Sequence, residues 1–177
     1  MANRNFPNWI NAYLEYTKFS ESPSKFHFWT AVSVLAGALR RRVWIDQKYF
    51  VWIPNFYIIF VAKPGIVSKS TTADIGMSLL REVPGIHFGP NSLTWQALIQ
   101  AMHQSVDTIE DPATGELFAS SAFSIVASEL GSLLDFSDRA MIDVFVDLWD
   151  GRKTWSKRTK LDGEELIENP FINIIGC

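Results

Sequence analysis

Residues 56–72 read FYIIFVAKPGIVSKSTT, an apolar run followed by a short loop and a polar helix start. The run Phe56–Ala62 has the length of a strand and carries no charge, which is typical of a central strand covered on both faces. The loop Lys63–Ser68 follows, and Lys69 opens a helix that we predict to extend to about Arg81. The sequence therefore predicts an α/β unit in which the end of a buried strand leads into the start of a helix.

The loop before Lys69 has the chemistry of a phosphate-binding loop. In such loops, backbone amides and a helix N-terminus face phosphate oxygens, a lysine reaches the β and γ phosphates, and a hydroxyl holds Mg²⁺. Lys69 and Ser70 are placed for the last two roles, with Gly65, Ser68 and Thr71 as further nucleotide contacts. Against the pattern G-x-x-x-x-G-K-[ST], lysine and serine replace the two glycines, so Gly65 alone relaxes the loop. The alternative is that Lys69 is an ordinary solvated residue.

A second apolar strand ends in polar residues. P-loop ATPases generally carry such a strand ending in an aspartate, often followed by a glutamate that orients the attacking water. The run from Phe123 ends in Ser128 and Glu129. Glu129 is therefore the candidate for polarising water, and Ser128 for a weak or water-mediated contact to Mg²⁺. The alternative is an ordinary strand that runs out to a surface glutamate.

A basic segment near the C-terminal end suits nucleic acid. It contains Arg152, Lys153, Lys157 and Arg158, with Trp155 among them. Cations interleaved with an aromatic ring bind single-stranded nucleic acid by pairing with phosphates and stacking on a base. Two alternatives remain open: an arginine that reaches the γ phosphate of a neighbouring subunit, or a solvated hairpin balanced by nearby acids.

The composition bounds the class of protein. The chain has 177 residues, of which 47% are hydrophobic, which is enough to build a core. Its net charge of -3 does not indicate a nucleic-acid or membrane surface. Its one cysteine, Cys177, excludes an internal disulfide and favours a reducing cytoplasmic setting. The apolar run Phe26–Leu39 falls short of the ~20 residues of a membrane span, so we predict a buried helix.

The remaining pattern alternates helices with strands. We predict helices over Trp9–Phe19, Ser92–Met102 with Ser92 as N-cap, and Arg139–Trp149; strands over Val43–Ile45, Phe50–Ile53, Ile86–Phe88, Ala122–Ala127 and Phe171–Ile175; and a hairpin turn at Asp162–Gly163. This order favours an N-terminal helical segment, 1–42, before a mostly parallel α/β core, 43–177.

The order of these pieces resembles the phage and prophage ATPases described as primase- or helicase-like proteins. The resemblance covers Ser22 to Cys177 and rests on Phe26–Leu39 with Arg-Arg-Val behind it, Tyr57–Thr72, Ser92–Leu98, Ser128–Leu130, and Leu148–Gly151 leading to Asn169–Pro170. It implies a RecA-like P-loop NTPase fold with a three-layer core. It also implies that more sheet follows Phe171–Ile175 in a longer protein.

The same resemblance implies a function. We expect an ATP-binding protein of phage or prophage DNA replication in the host cytoplasm. Its cofactors would be ATP and Mg²⁺, and its partners single-stranded DNA, further copies of itself or other replication proteins, without a membrane. The alternative is a non-catalytic module that keeps the P-loop shape and binds a protein or DNA.

Overall fold

The computed structural model describes residues 8–63, 65–89, 94–111, 113–159 and 163–177, and of 157–159 and 163–165 it describes the backbone alone. Its elements are α1 (Trp9–Tyr16), α2 (Ser24–Leu39), β1 (Ile45–Asp46), β2 (Val51–Trp52), β3 (Tyr57–Ile59), α3 (Lys69–Arg81), β4 (His87–Phe88), α4 (Trp95–Gln104), β5 (Val106–Glu110), β6 (Leu117–Ala127), α5 (Leu130–Leu133), α6 (Arg139–Trp149), β7 (Thr154–Thr159), β8 (Gly163–Glu168) and β9 (Phe171–Gly176). Ser92 and Asp162, predicted as a helix cap and a turn residue, lie outside the described residues. Thr94 caps α4 by accepting a hydrogen bond from the Ala97 N–H (3.3 Å).

The central sheet is mostly parallel. Its strands lie in the order β3, β9, β6, β4, each parallel to its neighbour, and β5 pairs antiparallel with the first part of β6. The prediction of a mixed α/β fold with a mostly parallel sheet is confirmed. β6 begins earlier than the predicted strand Ala122–Ala127, because residues from Leu117 onward pair with β5.

The apolar run Phe56–Ala62 differs from its prediction. It contains only a short strand, β3, which is the outermost strand on its side of the described sheet. Ile58 and Phe60 are buried, whereas Ile59 is 51% and Val61 84% exposed. The prediction of a central strand covered on both faces was therefore wrong for the described residues. Apolar composition indicates burial, but it does not say which neighbour covers the strand.

Helices cover both faces of the sheet. α2 and α3 pack on one face, and α4, α6 and the β7–β8 hairpin pack on the other. Successive strand residues alternate between the two layers, as the pleat requires: Ile125 and Ile174 point to the α6 side, and Val126 and Ile175 to the α3 side. The described residues thus form a helix–sheet–helix sandwich with a separate apolar core on each face.

α2 approaches the sheet closely at Gly37. A Cβ at this position would lie 2.6 Å from Leu80 Cδ2 and 2.7 Å from Ser124 Oγ, so only glycine fits. One turn earlier in α2, the backbone oxygen of Ser33 accepts a hydrogen bond from Asn173 Nδ2 (2.9 Å). Asn173 lies opposite Ser124 in the β9–β6 register. This polar contact inside the α2 layer fixes the helix against the middle of the sheet.

Arg41 ties three distant parts of the chain together. Its side chain is buried, and Nη1 donates to the backbone oxygens of Gly151 (3.0 Å) and Pro170 (2.9 Å). These acceptors follow α6 and precede β9. Burial lowers the pKa of Arg41 to about 10, so the guanidinium remains charged at neutral pH. Within the described residues, no helix combines the length and the apolarity that crossing a membrane requires.

Candidate functional site

The loop between β3 and α3 turns sharply. Gly65 has a φ of +74°, in the left-handed region that glycine adopts without strain, and a Cβ there would meet no atom within 4 Å. The Ile66 N–H donates to the backbone oxygen of Lys63 (3.4 Å), which closes the turn. The loop then enters α3 at Lys69, where the sequence predicted a helix start. The strand–loop–helix geometry predicted from residues 56–72 is therefore present.

Lys69 folds back over this loop. The residue is half-buried, and its Nζ donates to the backbone oxygen of Ala62 (3.2 Å), just beyond the end of β3. The side chain thus spans the loop from the helix side to the strand side. An ammonium group has three donors, so this bond leaves two for a ligand.

The N-terminus of α3 lacks a side-chain cap. The Ser68 hydroxyl makes no capping bond, although Ser68 holds the N-cap position. The N–H of Lys69 donates to Val67 (3.0 Å) and that of Thr72 to Ser68 (3.0 Å). No acceptor among the described residues pairs with the N–H groups of Ser70 and Thr71. Free amides at the positive end of a helix are donors suited to an anion.

Three hydroxyl-bearing residues hold the end of the loop. The Thr72 hydroxyl lies 2.6 Å from Ser22 Oγ and 2.8 Å from the backbone oxygen of Ser68. The Ser22 hydroxyl donates to the same backbone oxygen (3.1 Å). Thr72 is fully buried and its bond to Ser22 is buried, whereas the two bonds to the Ser68 oxygen are partly buried. They hold the backbone of Ser68, the residue that replaces the second glycine of the pattern, directly before Lys69.

The ends of β9 and β6 lie beside this loop. The Cys177 N–H donates to Ala127 and the Leu130 N–H to Cys177 (both 3.0 Å), so both strands end at one edge of the sheet. Burial raises the pKa of the Cys177 thiol, and the nearby positive charge of Lys69 partly opposes that rise. The charge of Lys69 therefore lies close enough to the carboxyl edge to act on the Cys177 thiol.

Ser128 and Glu129 emerge at the same edge. Both are exposed, and Glu129 occupies the N-cap position of α5 without making a side-chain cap. β9 separates β6 from β3, and two strand spacings amount to about 10 Å. α3 follows β3 on one face of the sheet and α6 follows β6 on the other. Between them, Leu130 of α5 packs over the end of β9, where its Cδ1 lies 3.0 Å from the position that a Cβ at Gly176 would take.

The oxygens near the loop are mainly hydroxyls. Ser70 is half-buried in the first turn of α3, and Ser128 places a hydroxyl where a carboxylate would bind Mg²⁺ more strongly. Among the described residues, no three His, Cys, Asp or Glu side chains gather to hold a metal ion. Mg²⁺ bound here would take its oxygens from Ser70, from phosphate and from water, since this ion commonly keeps several waters.

The basic segment is divided between surface and core. Arg152 is exposed and pairs with Asp150 (2.8 Å), and Lys153 is exposed. Trp155 is only 7% exposed and packs in the core on the α6 side of the sheet, opposite Ile167. Its ring does not reach solvent in this conformation, so the base stacking expected of it is not available.

The backbone register of the hairpin bears on the remaining cations. Lys157 lies directly opposite Glu165, and Arg158 opposite Glu164. Opposite charges at such positions favour each other. This register favours the solvated-hairpin alternative for these two residues.

Part of this site has no signal in the sequence. Ser22 and Thr72 are 50 residues apart, Ser22 between two predicted helices and Thr72 within a third. The proximity of Cys177 to Lys69 depends on β9 lying between β3 and β6, which the order of strands in the chain does not reveal. Comparison of the chain with models of known protein families gave no match, and comparison with curated proteins gave none either.

Proposed function

We propose that the chain binds the phosphates of ATP at the 63–68 loop. Lys69 would contact the β and γ phosphates, the free amides of α3 their oxygens, and Ser70 the Mg²⁺ ion. Gly65, Ser68 and Thr71 would complete the contacts. The proposal depends on one observation. The half-buried Lys69 spans the loop, with its Nζ bonded to the Ala62 backbone oxygen, and lies beside a helix N-terminus that has no side-chain cap.

The placement of the loop supports a P-loop ATPase core of the RecA-like kind. The loop follows a parallel strand and opens a helix, and the strand ending in Ser128-Glu129 reaches the same edge of the sheet. Glu129 is exposed toward solvent and would polarise the water that attacks the γ phosphate. With the resemblance in sequence, this leads us to propose an ATP-binding protein of phage or prophage DNA replication.

A second candidate is a module that binds nucleotide or a partner without hydrolysis. Ser128 favours it, because a hydroxyl replaces the carboxylate that usually supports Mg²⁺ at the end of this strand. Measuring phosphate release under saturating Mg-ATP separates the two candidates. Release that is lost in Glu129→Gln supports hydrolysis, and binding without release supports the second candidate.

Titration with a fluorescent ATP analogue in the presence of Mg²⁺ tests binding itself. We expect Lys69→Ala to weaken binding by at least about tenfold, or about 1.4 kcal/mol, because it removes the ammonium that would meet the phosphates. Lys48→Ala is the matched control, since Lys48 is an exposed lysine in the turn between β1 and β2, outside the loop. It should bind within about twofold of the wild type.

The stability of the protein provides an independent measurement. A ligand that binds only the folded state raises the melting temperature by mass action, and a concentration 100-fold above Kd adds about 2.7 kcal/mol. Mg-ATP should raise the melting temperature of the wild type and of Lys48→Ala alike, and that of Lys69→Ala by less, since a tenfold weaker Kd lowers the added stability from about 2.7 to about 1.4 kcal/mol. Wild-type protein that gives neither a shift nor a binding signal, or Lys69→Ala that matches the wild type in both, would contradict the proposal.

A further inference from the structure

The outer edge of β3, residues 57–61, carries unpaired backbone groups. The Phe56 backbone oxygen accepts from Ile174 and the Phe60 N–H donates to Gly176, so these residues face β9. Because backbone groups alternate in direction along a strand, those of Tyr57, Ile59 and Val61 face away from the sheet. No partner among the described residues meets them.

This edge strand is short, but its side chains carry none of the usual protection against pairing. Residues 56–62 contain no charge and no proline, the devices that commonly blunt an edge strand. Ile59 and Val61 expose 51% and 84% of their surface. Unpaired backbone N–H and C=O groups flanked by exposed aliphatic side chains can pair with another strand.

The two ends of the edge differ in a complementary way. At the amino end, Phe56 and Trp149 form an aromatic surface and are 38% and 47% exposed. Tyr57 points to the α6 side of the sheet, where its hydroxyl donates to the Phe145 backbone oxygen (2.8 Å). At the carboxyl end, Ile59 and Val61 continue that face without cover. The amino end of the edge therefore exposes aromatic rings, and the carboxyl end exposes aliphatic side chains that no aromatic ring covers.

We propose that this edge pairs with the same edge of a second copy, antiparallel about a twofold axis at Ile59. In that register Ile59 faces the partner's Ile59, and Tyr57 faces the partner's Val61, with about six backbone hydrogen bonds between the strands. Val61 would gain the aromatic surface at the partner's amino end. The inference stands on the strand edge alone and does not depend on nucleotide binding.

The charges favour an antiparallel second copy over a parallel one. Lys25 lines the groove of about 520 Å³ beside the edge, and Lys63 follows the strand; both are exposed, and no ion pair forms with either among the described residues. At the amino end, α6 carries the exposed Asp147 in its last turn, and no ion pair forms with it among the described residues. Asp150 borders the aromatic surface but is already paired with Arg152 (2.8 Å). Antiparallel pairing brings each lysine-bearing end toward an aspartate-bearing end. Parallel pairing would bring like charges together.

Sedimentation velocity across a wide range of protein concentrations tests the proposal. We expect the wild type to change from monomer to dimer with increasing concentration. Val61→Lys should weaken the dimer at least about tenfold, because its charge would be buried against the partner. Ile59→Pro removes an outward N–H while keeping the β9 ladder, and should have a similar effect. Val106→Lys is the control: Val106 is 50% exposed on β5, which β6 and β9 separate from β3, and the variant should dimerise as the wild type does.

Two results would overturn the proposal: a wild type that remains monomeric at every concentration, or a dimer that Val61→Lys leaves intact. Far-ultraviolet circular dichroism checks that each variant folds, and Val61 is exposed enough in the monomer for lysine to be accommodated. Hydrogen exchange gives a second measurement. The amides of Tyr57, Ile59 and Val61 should exchange more slowly in the dimer, whereas the amide of Val106 should not change.

Discussion

The hydroxyl of Thr72 offers a direct test of how the 63–68 loop is held. Thr72 is fully buried, and its hydroxyl lies within hydrogen-bonding distance of Ser22 Oγ and the Ser68 backbone oxygen. Thr72→Val replaces the hydroxyl with a methyl group of similar size. The substitution therefore removes hydrogen bonding while leaving the shape of the side chain nearly unchanged.

The expected cost follows from the two contacts. A buried hydrogen bond contributes a net ~0.5–1.5 kcal/mol, so losing this hydroxyl should lower the free energy of unfolding by about 1–2 kcal/mol. The loss of free energy should not exceed this range, because Ser22 still donates to the Ser68 backbone oxygen (3.1 Å) and that oxygen keeps a hydrogen-bond partner. Thr72→Ser keeps the hydroxyl and loses one methyl group, worth about 0.8 kcal/mol.

Urea unfolding followed by circular dichroism measures this effect. With a slope of about 2 kcal/mol per molar urea, Thr72→Val should move the midpoint down by about 0.5–1 M. Because Ser22 and Thr72 share one network, the double variant Ser22→Ala with Thr72→Val should cost less than the sum of the single changes, by about 0.5 kcal/mol or more. A midpoint unchanged in Thr72→Val, or single effects that simply add, would refute the reasoning.

Three other changes test the packing of the fold. Burial lowers the pKa of His27 from its ordinary 6.5, so the unfolded chain takes up the proton first as the pH falls. The free energy of unfolding should therefore decrease below about pH 6.5, and His27→Gln should flatten that part of a urea-derived stability profile. A Cβ at Gly76 would lie 2.2 Å from Thr30 Cγ2, so Gly76→Ala should force α2 and α3 apart. We expect a lower melting temperature and a cost of about 1–3 kcal/mol in the free energy of unfolding, although alanine has the better helix propensity. An unchanged melting temperature would show that α2 and α3 separate easily. Asp107→Asn leaves the buried Arg40 guanidinium without its carboxylate and should cost about 2–3 kcal/mol in urea unfolding, and a neutral result would mean that the Gly85 backbone oxygen suffices.

Local chemistry made much of the fold predictable. The start of α3 at Lys69 and the strands near His87 and Phe171 follow from apolar runs that end in polar residues. The turn at Gly65 follows from the one residue in the loop that adopts a positive φ without strain. These features depend on neighbours in the chain, so the sequence alone carries their signal.

Features that depend on pairing could not be predicted in this way. The outer position of β3 depends on which strands flank it, and the run Phe56–Ala62 is silent on that point. The burial of Trp155 depends on its position opposite Ile167, because the register decides which residues of a hairpin face the core. The contact between Ser22 and Thr72 requires α2 to be placed against α3. Each of these features joins segments whose separation in the chain hides the contact.

Arg41 has a consequence for how the protein comes apart. Its bonds reach residues more than 100 positions away, so deleting residues 1–42 would leave the Gly151 and Pro170 backbone oxygens buried without their donor. The same deletion would remove α2 from the face that it covers on β9. We therefore expect residues 1–42 and 43–177 to unfold in a single cooperative transition. Limited proteolysis should then yield no stable fragment that corresponds to either part.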